Sequence, residues 1–240
     1  MTKIHKDLYK TETNYWLTPT SLIQAVLNGL GVDKFDIDVA AGCCHVPAKV
    51  YYTQNGYCTD VDGKLEQYDL GDGLEAPWHG YCWMNPPYGN LLQKFVRKAY
   101  DESLCHVEHT QVDSAECHEA TKTFNFKKTR ILRDPTKIIA LLPANRFENS
   151  YYHNYLIQAE NCNIFMLQGK IAFEKPGQTL MSSFNSNFEK KPKCDKAPFA
   201  TCLAFWNVSR DELWDIIVEL GKVGFNGSLL GNYKGKDIHE

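Results

Sequence analysis

No run of apolar residues in this 240-residue chain reaches the roughly 18–20 needed to cross a bilayer. The opening Met1-Thr2-Lys3-Ile4-His5-Lys6-Asp7 lacks the apolar stretch of a secretory signal. Together these absences predict a cytoplasmic protein with no membrane partner. A surplus of one charge sign is also missing: 26 Lys and Arg face 29 Asp and Glu, for a net charge of −3. That excludes a chain coated in basic residues but leaves room for a local basic groove. There is no Cys-x-x-Cys pair, and the nine cysteines are odd in number and scattered through strand and helix patterns. Such usage points to reduced thiols and away from a disulfide framework. No internal repeat is visible.

What is present is the composition of a globular protein, 43% hydrophobic and 23% charged. The length suits one sizeable core, so residues 1–240 are read as a single domain. Strand patterns at 35–39, 50–53, 81–84, 138–142, 164–167, 171–173 and 201–206 alternate with helical ones. This order predicts an α/β fold with a largely parallel sheet. Thr18-Pro19 reads as N-cap and first position of a helix with Leu22, Val26, Leu27 and Leu30 on one face. Asn90 reads as the cap of a helix carrying Leu92, Phe95, Val96 and Ala99, and residues 148–159 as a further helix. Ser209-Arg210-Asp211-Glu212 is a capping box opening the last one. Residues 54–74, rich in Gly and Asp, read as loop, and 232–240 as a tail.

The most informative stretch is Tyr81-Cys82-Trp83-Met84-Asn85-Pro86-Pro87-Tyr88. Four residues suited to a buried strand run into two prolines, which lack amide hydrogens and hold the preceding residue extended. A rigid loop at a strand end follows, with an amide (Asn85) and a ring (Tyr88) at fixed separation. Strand ends of this kind line the ligand crevice of open α/β sheets. Asn85 Oδ1 and the Pro86 carbonyl can accept the two hydrogens of an exocyclic amine while Tyr88 stacks on a flat base. The plainer alternative is a turn that only reverses the chain.

Two segments stand apart. Residues 101–137 are acidic in their first half and basic in their second, where Lys122, Lys127, Lys128, Arg130 and Arg133 surround Phe124 and Phe126. Basic residues interleaved with aromatics suit a phosphate backbone, although a charged face is more often simply solvated. The segment reads as an insertion projecting from the core. It also holds Cys105, His106, His109, Cys117 and His118, whose spacing matches no common zinc pattern, so no metal is expected. Residues 178–196, with Lys190 and Lys191, read as a polar loop whose basic end is a second candidate for contact with phosphate.

As a set, the motifs resemble phage-type DNA N6-adenine methyltransferases, the phage Dam family. They are Trp16-Leu17-Thr18-Pro19, Asp36–Ala41, Asp72-Gly73-Leu74 with Trp78, Trp83–Tyr88, Leu141-Leu142-Pro143, Gly169–Phe173 and Ala197-Pro198-Phe199. The likeness covers residues 15–206 apart from the insertion. It implies a Rossmann-like fold that uses S-adenosylmethionine (SAM), with double-stranded DNA as partner and adenine, within GATC, as target. By matching position, Thr18, Pro19 and the turn with Asp38 and Ala40 would hold the methionine part of SAM, Trp16 would also belong to the cofactor site, and Asp72 would lie near the adenine of SAM. Asn85, Pro86, Pro87 and Tyr88 would form the catalytic loop. The usual glycine-rich turn is replaced by Ala40-Ala41-Gly42-Cys43-Cys44, and Asp60 and Asp62 are candidates for the ribose. Two alternatives stay open: an N-methyltransferase acting on RNA adenine or protein glutamine, and a non-catalytic DNA-binding protein of the same fold. Oligomeric state cannot be read.

Overall fold

The computed structural model describes residues 17–42, 44–53, 57–59, 65–67, 71–104, 106–111, 127–133, 135–174 and 197–231. Its centre is a seven-stranded sheet in the order β11-β9-β10-β8-β5-β1-β2. The strands are β1 (Phe35–Asp38), β2 (Ala48–Tyr51), β5 (Tyr81–Met84), β8 (Lys137–Pro143), β9 (Cys162–Leu167), β10 (Thr201–Trp206) and β11 (Gly227–Gly231). β2, β1, β5 and β8 pair in parallel. β10 is antiparallel to β8, β9 to β10, and β11 to β9. β9 therefore runs with the parallel four, and five of seven strands share a direction. This is the mixed α/β, mostly parallel architecture expected of a Rossmann-like methyltransferase.

Side chains alternate across a strand with period two, and here that alternation builds two cores. Phe35, Trp83, Ile139, Leu141, Leu203 and Phe205 face helices α1 (Thr20–Leu30) and α4 (Arg210–Lys222). Ile37, Cys82, Met84, Ile138, Ala140 and Leu142 face α2 (Leu92–Ser103) and the short α3 (Ser150–Tyr152), which runs into a wide turn at His153–Ile157. α1 and α4 approach closely at Gly29, where an added Cβ would lie 2.4 Å from the Ile216 backbone. Gly31 ends α1 in the left-handed region, φ 68°. The capping box of α4 is present, with Ser209 and Glu212 bonding reciprocally.

Several expectations change. Pro19, not Thr18, is the N-cap residue of α1, and it offers no side-chain bond. The capping is done from afar: Glu174 accepts from Thr20 N and Thr20 Oγ1, both at 2.9 Å. Leu91 precedes α2, so Asn90 does not cap it. The strand read at 50–53 starts two residues earlier, and β11 has no counterpart among the strand patterns because Gly227 and Gly231 weaken it. Ile171–Phe173 forms no sheet strand; the adjoining Glu174 instead bridges Leu17. The helix expected from 148 begins at 150 and widens after one turn. Residues 54–74 are not all loop, since β3 (Tyr57–Thr59) and β4 (Leu65–Gln67) pair antiparallel.

The insertion contains a second small sheet, β6 (His106–Gln111) against β7 (Lys127–Arg133), with Glu108 opposite Arg130 in register. Its two roots are tied together: Thr136 N donates to the Glu102 carbonyl, and Asn207 Nδ2 donates to the carbonyls of Ser103 and Thr136. Because Lys137 pairs with Tyr81 in a parallel ladder, these roots sit at the amino-terminal edge of the sheet. No helix among the described residues is long and apolar enough to cross a membrane.

Candidate active site

β5 delivers Asn85 at the opposite, carboxyl-terminal edge. The side chains of Cys82, Trp83 and Met84 are wholly buried, which fixes the strand from which the loop springs. Pro86 is buried, Pro87 exposed, and Tyr88 half-buried with its ring edge-on to Phe199 at 5.5 Å. Tyr88 OH donates to Asn85 Oδ1 at 2.8 Å and also lies 3.2 Å from the Leu141 carbonyl of β8. Burial pushes that phenol's pKa far above its ordinary value, so it acts as a donor and not as a base. Asn85 Nδ2 donates to Thr18 Oγ1 at 3.2 Å.

Besides its ring, Tyr88 thus brings a hydroxyl bonded to the same Asn85 oxygen that was read from the sequence as an acceptor for an amine hydrogen.

The turn after β1 lies beside this loop. Asp38 is paired with Trp83 in register, and Val39 N donates to the Trp83 carbonyl. Asp38 is buried, 4% exposed, with a hydrogen bond from Ala40 N at 3.2 Å. Burial raises its pKa to about 7, and the Ala40 amide only partly offsets that. Gly73 brings the 71–76 turn against this one: a Cβ there would lie 1.8 Å from the Val39 carbonyl. Asp72 Oδ1 accepts from Leu74 N at 2.8 Å, closing a local turn, and Trp78 Nε1 donates to the Gly73 carbonyl.

Of the residues singled out from sequence, Thr18, Pro19, Asp38, Ala40, Asp72 and Asn85–Tyr88 therefore gather at one edge of the sheet. Trp16, Lys122, Lys190, Lys191, Asp60 and Asp62 lie outside the described residues. Lys127, Lys128, Arg130 and Arg133 fall on β7, whose roots are at the other edge. Of the Cys/His group, His106 and His109 fall on β6, and Cys105, Cys117 and His118 lie outside the described residues.

Two site residues were missed. His45 Nε2 donates to the Thr18 carbonyl at 2.6 Å, and Glu174 caps α1. Neither sits in a pattern that announces it; only long-range folding brings them here.

Comparison with known proteins matches residues 5–196 to the family model described as DNA N-6-adenine-methyltransferase (Dam). The chain belongs to the DNA N-6-adenine-methyltransferase (Dam) family. Within it, 98 residues, 40% of this chain, are 33% identical to the DNA N-6-adenine-methyltransferase of Haemophilus phage HP1. That match spans about half, 47%, of the phage protein's length. In this Dam-family chain, the motif residues Thr18-Pro19, Asp38–Ala40, Asp72-Gly73 and Asn85–Tyr88 lie on the edge described above.

The donor set can be tested against the methyl donor that the family implies. SAM carries a sulfonium and an ammonium, both cationic. Asp38 is a buried carboxylate whose ionisation is under-compensated, at the end of a strand and bordered by Ala40 and Ala41. A cation beside it restores the charged form. The residues present fit such a group.

Proposed function

We propose that this chain is a DNA adenine N6-methyltransferase using SAM. The observation that carries the reading is the pairing at one sheet edge of an under-compensated buried carboxylate, Asp38, with an oriented amide acceptor, Asn85.

In this reading SAM supplies an electrophilic methyl group. Asp38, with the Ala40–Ala41 turn and the backbone of Thr18-Pro19, holds the methionine end, and the 71–76 turn borders its adenine. Asn85 Oδ1 and the Pro86 carbonyl accept the hydrogens of the target amine. The N6 lone pair of adenine is delocalised into the ring, so positive charge would develop on nitrogen as the methyl–sulfur bond breaks; a neutral thioether would be left, and the proton made acidic on N6 would pass to water. Two fixed acceptors stabilise that charge without reorganising, and the loop places the amine in line. A base stacked in duplex DNA cannot present N6 in this way, so it is turned out of the helix at a cost of a few kcal/mol. The Tyr88 ring offsets about 1–3 kcal/mol of this by stacking. The basic residues of β7 and of 190–191 hold backbone phosphates, and GATC is the recognition sequence the family resemblance favours.

The test is methyl transfer from labelled SAM to duplex DNA, with single-stranded RNA and a glutamine-bearing protein as parallel substrates. N6-methyladenine in the duplex, abolished by Asn85→Ala with SAM binding kept, supports the reading. Label appearing in RNA or protein instead reassigns the substrate, and SAM binding without transfer to any of the three overturns the catalytic role.

A further inference from the structure

We infer that Thr18 is a positioning residue for Asn85, its buried hydroxyl forming one jaw of a clamp whose other jaw is the Tyr88 hydroxyl. The inference rests on the reading of Asn85 as the amine acceptor and deepens it. A side-chain amide is close to two-fold symmetric in shape, and its terminal torsion is soft. Asn85 can serve as an acceptor toward substrate only if its oxygen and nitrogen are told apart. The structure bonds both ends of the amide in the orientation that turns Oδ1 toward Tyr88: Nδ2 donates to Thr18 Oγ1, 67 residues away, and Oδ1 accepts from Tyr88 OH.

An amide oxygen carries two lone pairs. Tyr88 uses one, leaving the second for an amine hydrogen. Pro86, having no N–H, cannot compete for it.

The clamp is useful only if Thr18 is itself immobile. It is 2% exposed, and the short segment around it is braced on every side. Its carbonyl accepts from His45 Nε2 at 2.6 Å. The next carbonyl, of Pro19, accepts from Leu22 N and Ile23 N. Thr20 is held through both its amide and its hydroxyl by Glu174, and Leu17 is bridged to the Glu174 backbone. The chemistry of the catalytic loop on β5 is thus set from the start of α1, and the Thr18 side chain acts on Asn85 instead of on SAM.

Thr18→Val keeps the side-chain shape but leaves Nδ2 without this acceptor in a buried setting. Tyr88→Phe removes the other jaw and keeps the ring against Phe199. Each variant should slow single-turnover methyl transfer about tenfold, the size of effect expected for a misplaced neutral hydrogen bond. SAM affinity and the KM for DNA should stay within about twofold, because the loss belongs to the transition state alone. Thr18→Ser should restore the rate, and the double variant should lose less than the product of the singles. Wild-type transfer rates in Tyr88→Phe and in folded Thr18→Val overturn the inference, as does a Thr18→Val defect that appears in SAM affinity and not in rate. An Asn85→Ala enzyme that still methylates removes the underlying reading instead. If Asn85→Ala is inactive while both hydroxyl variants are unimpaired, only the clamp is lost.

Discussion

At the scale of single residues, Asp38 sets the proposed binding of SAM against stability. An ordinary aspartate titrates near 3.8, and burial brings this one to about 7. Its ionised form is thus penalised in the folded chain. The stabilising difference is fully present below the unfolded value and is lost as pH rises through the folded one. Replacing the carboxylate by the neutral amide in Asp38→Asn should raise thermal stability at pH 8, by a few kcal/mol at most. It should also weaken SAM binding by about tenfold or more, through loss of a charge-assisted contact. Calorimetry and a melting curve on the same sample check both halves. A variant that is less stable and binds SAM normally contradicts this account. In the wild type, SAM affinity should fall as pH drops below 7, because a neutral Asp38 no longer attracts a cation.

At the scale of elements, the contact of α1 with α4 decides between two opposed effects. Helix propensity alone favours Gly29→Ala by about 1 kcal/mol. The added Cβ, however, would sit 2.4 Å from the backbone of Ile216, which no side-chain rotation can relieve. Overpacking of this kind costs about 1–3 kcal/mol and should win. Gly29→Ala is therefore expected to lower the melting temperature, and a stabilised variant would show that the two helices separate easily. The amino-terminal end of α1 depends on Glu174. Removing that carboxylate in Glu174→Ala should cost about 1 kcal/mol, as loss of a cap and of a favourable charge at a helix start.

For the whole molecule, two groups at opposite edges of the sheet shape the pH dependence of folding. Glu212 lies against the far ends of β5 and β8. Burial there works to raise its pKa, but hydrogen bonds from Lys137 and Tyr81 outweigh it and bring the value down to about 2. A depressed carboxylate contributes stability above its unfolded pKa and loses it as pH falls through the folded one. Asp38 works in the other direction between its two values. These two groups alone place maximal stability at about pH 4–5. Denaturant titrations from pH 2 to pH 8 check this: Glu212→Gln should flatten the acid limb and Asp38→Asn the neutral one. The insertion adds a test at the same scale. If β7 holds phosphates, replacing Lys127, Lys128 and Arg130 by Ala should lower the salt slope of DNA binding by about one unit for each phosphate no longer neutralised. Equal slopes would leave the hairpin without a part in DNA binding.

Much of this was written locally. The buried strand ahead of two prolines, the small-residue turn after Asp38, the apolar face of α1 and the capping box at Ser209 each rest on neighbouring residues in the chain. Near-neighbour chemistry determines such features, so the succession of strands and helices, the loop at Asn85 and the family likeness were all legible. Glycines hid β11, and a Gly- and Asp-rich composition hid the β3–β4 pair, because both depend on pairing more than on pattern. What joins the site was not legible at all. Thr18 meets Asn85, Glu174 caps Thr20, and the Tyr88 hydroxyl finds Asn85 Oδ1 beside the Leu141 carbonyl. The sequence alone determined which chemical groups stand at strand ends. Only the tertiary structure decided which of them meet, because a hydrogen bond between distant segments is a property of packing, and no local pattern encodes it.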